Sequence, residues 1–148
     1  MSGAEISKLE RAALRLLVAR EHSRWELRRK LNAHAAQPEH IERLLDRLEE
    51  QGVQSDLRFT QEYIAARGRR GFGPIRIAVE LNERGIAAAL VEACLDPDGA
   101  RWEQILLETA KSKFGGNPPE GYEDWARRAR FLEYRGFTTA SIRRLLPR

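Results

Sequence analysis

The chain is poor in the residues that build chemical sites. Cys94 is its only cysteine among 148 residues. A single thiol excludes an intramolecular disulfide and suits a reducing cytoplasm. Histidine is nearly as scarce. Of His22, His34 and His40, the last two stand six apart with Pro38 between them, which keeps them off one helical face. No metal and no cofactor site is expected from this set. No apolar run approaches the roughly 20 residues that cross a bilayer, and the N-terminal stretch lacks the apolar core of a secretion signal. A cytoplasmic protein with no membrane contact is therefore expected. Phosphate-loop chemistry is missing as well: no G-K-[ST] follows a glycine run, and no strand-like alternation precedes one. Ser23 has no oriented base, so it reads as a helix cap rather than a nucleophile. No catalytic residues are expected, and the chain does not read as an enzyme.

What the chain has in abundance is charge and helical periodicity. Charged residues make up 32% of it, against 42% hydrophobic, and the net charge is +4. The excess is localised. Residues 1–56 hold ten basic and ten acidic side chains, residues 57–98 six and six, and residues 99–148 ten and six. A basic final third attracts nucleic acid or an acidic protein surface, although a solvated helix face explains such charge equally well. Apolar residues recur with helical spacing: Leu9, Ala13, Leu16 and Leu17; Ile41, Leu44, Leu45 and Leu48; Trp102, Ile105 and Leu106. "SRWE" is a capping box at Ser23 and Glu26, Pro38 and Pro74 fit first helical positions, and Gly52, Gly85 and Gly136 fit helix ends. The pattern predicts helices over 6–20, 24–33, 38–51, 56–68, 74–84, 87–95, 100–113, 121–135 and 139–146.

These helices repeat. "ELNERGIAAALVEACL" (80–95) aligns without a gap on "FLEYRGFTTASIRRLL" (131–146), setting Leu81 on Leu132, Arg84 on Arg135 and Gly85 on Gly136. At an offset of 50 the first third joins, with Ser23 on Gly73, Leu27 on Ile77, Leu31 on Leu81, Ile41 on Val91 and Leu45 on Leu95. The fold expected is all-α: three tandem three-helix repeats, at 1–54, 55–97 and 98–148, stacked in an elongated array. "KFGGNPPEGYED" (113–124) is a turn-rich insertion in the third. Trp102 and Trp125 lie on apolar stripes. Cys94 matches Leu145 and reads as a core filler. Trp25 falls off its stripe, where partial burial and base stacking both remain open.

"RGRRGFGP" (67–74) is the stretch richest in glycine and arginine. It reads as a helix ending near Gly68 and a new one beginning at Gly73–Pro74, with Gly71 and Gly73 shaping the corner and Gly85 and Gly136 ending later helices. Arg67, Arg69, Arg70 and Arg76 then crowd one exposed corner. Like charges repel, so an anionic partner is indicated. Arg127, Arg128, Arg130, Arg143 and Arg144 form a second candidate set.

These motifs resemble a known family. "RRGFGPIRIAVELNERGI" (69–86) is similar to the signature of RecX, the bacterial regulators of the RecA recombinase, at Arg70, Gly71, Gly73, Arg76, Ile77, Glu80, Leu81, Gly85 and Ile86. "REHSRWELRRKL" (20–31) resembles that family's R-x-H-S-x-x-E-L-x-x-K-L, and "RGF" (135–137) its third motif. The chain departs from the pattern in its insertion at 115–121. The resemblance implies a curved array of three units and binding to RecA filaments on DNA, in the groove or at the growing end. It also implies inhibition of strand exchange, ATP hydrolysis and coprotease activity, without catalysis by this protein. A monomer is expected. Two alternatives rest on the residues alone. One is a helical DNA-binding protein holding phosphates through its arginines. The other is a helical adaptor unrelated to DNA.

Overall fold

The computed structural model describes residues 3–34 and 36–147. Among them are nine α-helices and no strand: α1 (Gly3–Ala19), α2 (Arg24–Leu31), α3 (Pro38–Glu50), α4 (Asp56–Arg69), α5 (Pro74–Glu83), α6 (Ala88–Leu95), α7 (Ala100–Phe114), α8 (Gly121–Tyr134) and α9 (Thr139–Leu145). A short 3-10 turn, Asn32–His34, extends α2. Local chemistry accounts for the boundaries. Ser23 caps α2 by accepting from the Glu26 N–H, while Glu26 accepts from the Ser23 N–H. Pro38 and Pro74 open α3 and α5, where a missing N–H is harmless. Ser55 and Thr138 cap α4 and α9 through their hydroxyls.

The helices form three consecutive groups of three, each around its own apolar cluster. Leu27, Leu31, Ile41, Leu44, Leu45 and Leu48 fill the first, with Leu9 and Ala13 from α1. Phe59, Ile64, Ile77, Leu81, Ile86, Val91 and Leu95 fill the second. Leu106, Leu132, Phe137, Ile142 and Leu146 fill the third. Residues paired by the repeat register are therefore buried together: Leu31, Leu81 and Leu132 are each inaccessible to solvent. Stacking in series leaves much surface uncovered. The accessible area is 9253 Å², against roughly 7,700 Å² for a compact monomer of this size.

One residue crosses the expected boundary. Trp102, near the start of α7, belongs to the second cluster rather than the third. It is 2% exposed, and its indole N–H donates to the Leu95 carbonyl at 2.8 Å. Ile105, one turn on, packs against both clusters. Trp125 and Cys94 are only partly buried, and the Trp125 indole donates to the Leu146 carbonyl at 2.9 Å.

The glycine-arginine turns do more than reverse the chain. They join the units. Gly85 and Gly136 have φ of +77° and +98°, where glycine is favoured, and each closes its helix with paired backbone bonds. The turn ending α5 receives the start of α2: the Ser23 hydroxyl donates to the Arg84 carbonyl at 2.8 Å. The turn ending α8 receives the start of α5: Gly73 N–H donates to the Arg135 carbonyl at 2.8 Å, and Ile75 N–H to that of Gly136 at 2.9 Å. The approach is too close for side chains. A Cβ on Gly85 would lie 2.4 Å from the Trp25 Cβ, and one on Gly136 2.4 Å from the Arg76 Cβ. Trp25 is thus half-buried against the neighbouring unit.

Candidate functional site

The "RGRRGFGP" stretch joins two helices. α4 ends at Arg69, Gly71 turns the chain at φ +83°, and Gly73 precedes Pro74 at the start of α5. Two glycines owe their place to packing rather than to backbone freedom. Gly68 is buried where a Cβ would sit 3.1 Å from Ile105. Gly73 has an ordinary extended φ of −98°, but a Cβ there would lie 2.6 Å from the Gly136 backbone. Gly73 is therefore required by the neighbouring unit and not by a strained turn.

The four arginines of the corner divide into two pairs. Arg67 and Arg76 turn inward onto Glu80. Arg67 donates to both Glu80 oxygens at 2.8 Å, and Arg76 approaches at 3.4 Å. The Tyr63 hydroxyl adds a bond to Glu80 at 2.9 Å. Burial alone would raise the Glu80 pKa, but hydrogen bonds from Arg67 and Tyr63 outweigh it and hold the carboxyl below its ordinary value. Burial, reinforced by the carboxylate, pushes the Tyr63 hydroxyl up to about 12. Arg67 and Arg76 also lie over the Phe72 ring, 3.8 and 4.7 Å from its centroid. They are structural ties, with Arg67 mostly covered. Arg69 and Arg70 are the outward pair. Both are exposed, and neither side chain makes an ion pair or hydrogen bond among the described residues.

Arg69 and Arg70 stand at the edge of a cleft of about 690 Å³ between α4, α7 and the end of α8. Its rim carries three further cations, Arg101, Lys113 and Arg135, with Glu108 as the one acidic residue lining it; Ile64, Ile105 and Phe131 contribute apolar wall. Arg135 is the fixed member. Its guanidinium donates to the Arg70 carbonyl at 3.0 Å and lies between Phe72 and Phe131, 4.7 and 4.9 Å from their centroids. Arg101 donates to the Cys94 and Leu95 carbonyls at the end of α6. Lys113 lies over Phe131 at 5.2 Å. A cleft with five cations and one carboxylate favours a polyanion.

The second candidate set lies outside this cleft. Arg128 is 9% exposed, donates to the Asn117 carbonyl at 2.8 Å and pairs with Asp124. It anchors the turn-rich insertion. Arg127 also pairs with Asp124, and Arg144 with Glu103 and Ser141. Arg130 and Arg143 are exposed without an ion pair among the described residues. Arg101, Lys113 and Arg135 escaped the reading by residue type. Arg135 carried a signal, since it repeats Arg84. The other two fall on a helix whose packing against α4 no local pattern indicates.

Outside these clusters, the described residues contain no helix long and apolar enough to cross a membrane. They also contain no group of three His, Cys, Asp or Glu residues able to hold a metal ion.

Comparison with known proteins matches each unit in turn. Residues 11–48 match the first three-helix domain of RecX, 55–95 the second and 102–146 the third. The chain is 45% identical over 138 residues to the regulatory protein RecX of Pseudomonas syringae pv. tomato, covering 93% of this chain and 89% of that one. It is 42% identical to the regulatory protein RecX of Ectopseudomonas mendocina, with 93% and 92% covered. The crystal structure of RecX from Lactobacillus salivarius superposes with a TM-score of 0.80 at 19% identity, over 97% of this chain and 96% of that one.

Proposed function

The chain belongs to the RecX family, and from that membership we infer that it regulates the RecA recombinase by binding RecA filaments assembled on DNA. The inferred outcome is inhibition of strand exchange, ATP hydrolysis and coprotease activity, with no reaction catalysed by this protein. The observation that carries the reading is the match of all three units, in order, to RecX three-helix domains. A bound array can act along the filament groove or at its growing end; both place a basic surface against phosphates and carboxylates. Arg69 and Arg70 suit that contact because no ion-pair or hydrogen-bond partner among the described residues competes for their side chains, and a guanidinium pairs with either anion through two parallel donors. Arg127, Arg130 and Arg143 offer further exposed charge. Arg67, Arg76, Arg128 and Arg144 serve mainly by holding the surfaces in shape, through Glu80, Asp124 and Glu103.

A second reading, direct phosphate binding on DNA, is favoured by the five cations around one cleft. One experiment separates the two: affinity of the Arg69→Glu/Arg70→Glu variant for RecA filaments and for bare DNA, at two salt concentrations, beside its thermal midpoint. The expected result is weaker filament binding at an unchanged midpoint, with filament affinity well above that for bare DNA. Equal affinity for both targets, lost together with salt, supports the DNA reading. Wild-type filament affinity in the folded variant refutes a role for this corner.

A further inference from the structure

The two junctions between the three units differ in kind. The second is built from backbone and shared core. Two backbone bonds cross it, from Gly73 and Ile75. Trp102 carries α7 into the cluster of the middle unit, and Ile105 belongs to both sides. The Arg135 guanidinium is clamped between Phe72 and Phe131. Any rotation there must tear backbone bonds and uncover buried apolar surface, and the latter resists in every direction.

The first junction is built from side-chain hydrogen bonds. The Ser23 hydroxyl donates to the Arg84 carbonyl. Arg24 N–H donates to the Asp56 carboxylate at 2.9 Å, and the same oxygen accepts from Gln54 at 2.9 Å. Arg58 pairs with Glu21 at 2.9 Å. No hydrophobic residue is common to the first and second clusters. Trp25 packs closely across Gly85, a residue with no side chain to interlock. Ser23 and Gln54 are buried, but hydroxyl, carboxylate and amide groups on rotatable bonds can follow a small rotation while keeping their partners. A backbone ladder cannot.

We propose that the first junction is a hinge and the second is rigid: α1–α3 swing as one body against a single body made of α4–α9, pivoting on Ser23–Arg84 and Arg24–Asp56. The hinge stands independently of the regulatory reading, because it follows from the bonds alone. If that reading holds, the motion sets the angle between the first unit and the basic cleft, which lies wholly in the rigid body. The array could then match the pitch of a helical partner without disturbing the cleft.

The test is amide hydrogen exchange by NMR on the full, unaltered chain. Three amides report the junctions directly: Arg24 at the first, Gly73 and Ile75 at the second. Leu45 and Leu48 report the interior of α3. The expected result is a protection factor at Arg24 at least about tenfold below those at Gly73 and Ile75, with Leu45 and Leu48 strongly protected. Equal protection at the three junction amides overturns the proposal. So does exchange of Leu45 and Leu48 as fast as Arg24, which would mean that the first unit unfolds rather than swings. A second measurement uses nitroxide pairs in a Cys94→Ala chain. The distance distribution between Arg43→Cys and Glu62→Cys should be broader than that between Glu62→Cys and Arg130→Cys, and equal widths count against the hinge.

Discussion

Replacing Trp102 by alanine perturbs the rigid junction at its centre. The side chain is 2% exposed and sits in the cluster of a unit other than its own. A buried tryptophan removes about 200 Å² from water, which at about 25 cal/mol per Å² is worth roughly 5 kcal/mol. Alanine retains a small part of that, and the neighbours collapse partly into the space, so a loss of about 3–5 kcal/mol is expected. The hydrogen bond is a minor share. Losing the indole N–H leaves the Leu95 carbonyl still bonded to Arg101 at 3.1 Å, so that loss is about 1 kcal/mol. Trp102→Phe, which keeps most of the volume, should therefore lose well under half as much as Trp102→Ala. The assay is urea denaturation followed by circular dichroism, with the thermal midpoint as a check. At about 2–4 °C per kcal/mol for a chain approaching this length, the alanine variant should melt roughly 6–20 °C lower. A loss below about 1.5 kcal/mol would refute the reasoning, because it would mean that Trp102 fills no shared core.

Other outcomes follow from the same contacts. Leu81→Ala and Leu132→Ala should each cost about 2–5 kcal/mol in denaturant unfolding, since both side chains are fully buried at one repeat position. Gly73→Ala should destabilise by about 1–3 kcal/mol because its Cβ would strike the Gly136 backbone, and NMR should show the Gly73 and Ile75 amides losing protection. Acid should weaken the chain in two steps. Burial, chiefly, lowers the His22 pKa below its ordinary 6.5, with Arg20 and Lys30 adding repulsion and Glu26 opposing. The folded state thus binds fewer protons there than the unfolded one. Its contribution is present above pH 6.5 and declines as pH falls from there toward the lowered folded value. His22→Gln should remove that step. The step below pH 4.5 should remain, because the depressed carboxyl of Glu80 also favours the unprotonated folded state.

The sequence by itself determined nearly all of the secondary structure, because the signals are local. A capping box at Ser23, prolines at Pro38 and Pro74 and glycines at Gly52, Gly85 and Gly136 act within a turn of where they stand, and they set helix boundaries to within a few residues. The apolar stripes and their recurrence placed Leu31, Leu81 and Leu132 at equivalent core positions, because burial follows helical period. Tertiary structure decided which charges are available. Arg67 and Arg69 are two residues apart on one helix, yet one is bound to Glu80 and the other faces solvent. That depends on where α5 lies across α4, and no spacing encodes it. The same holds for Trp102, whose stripe announces burial but not in which unit. It holds too for Gly73, which needs its bare Cα only because the Gly136 backbone arrives from 63 residues away. Contacts across a junction are pairwise and distant, whereas caps and stripes are written by neighbours; that is why the helices could be read along the chain and the basic cleft could not.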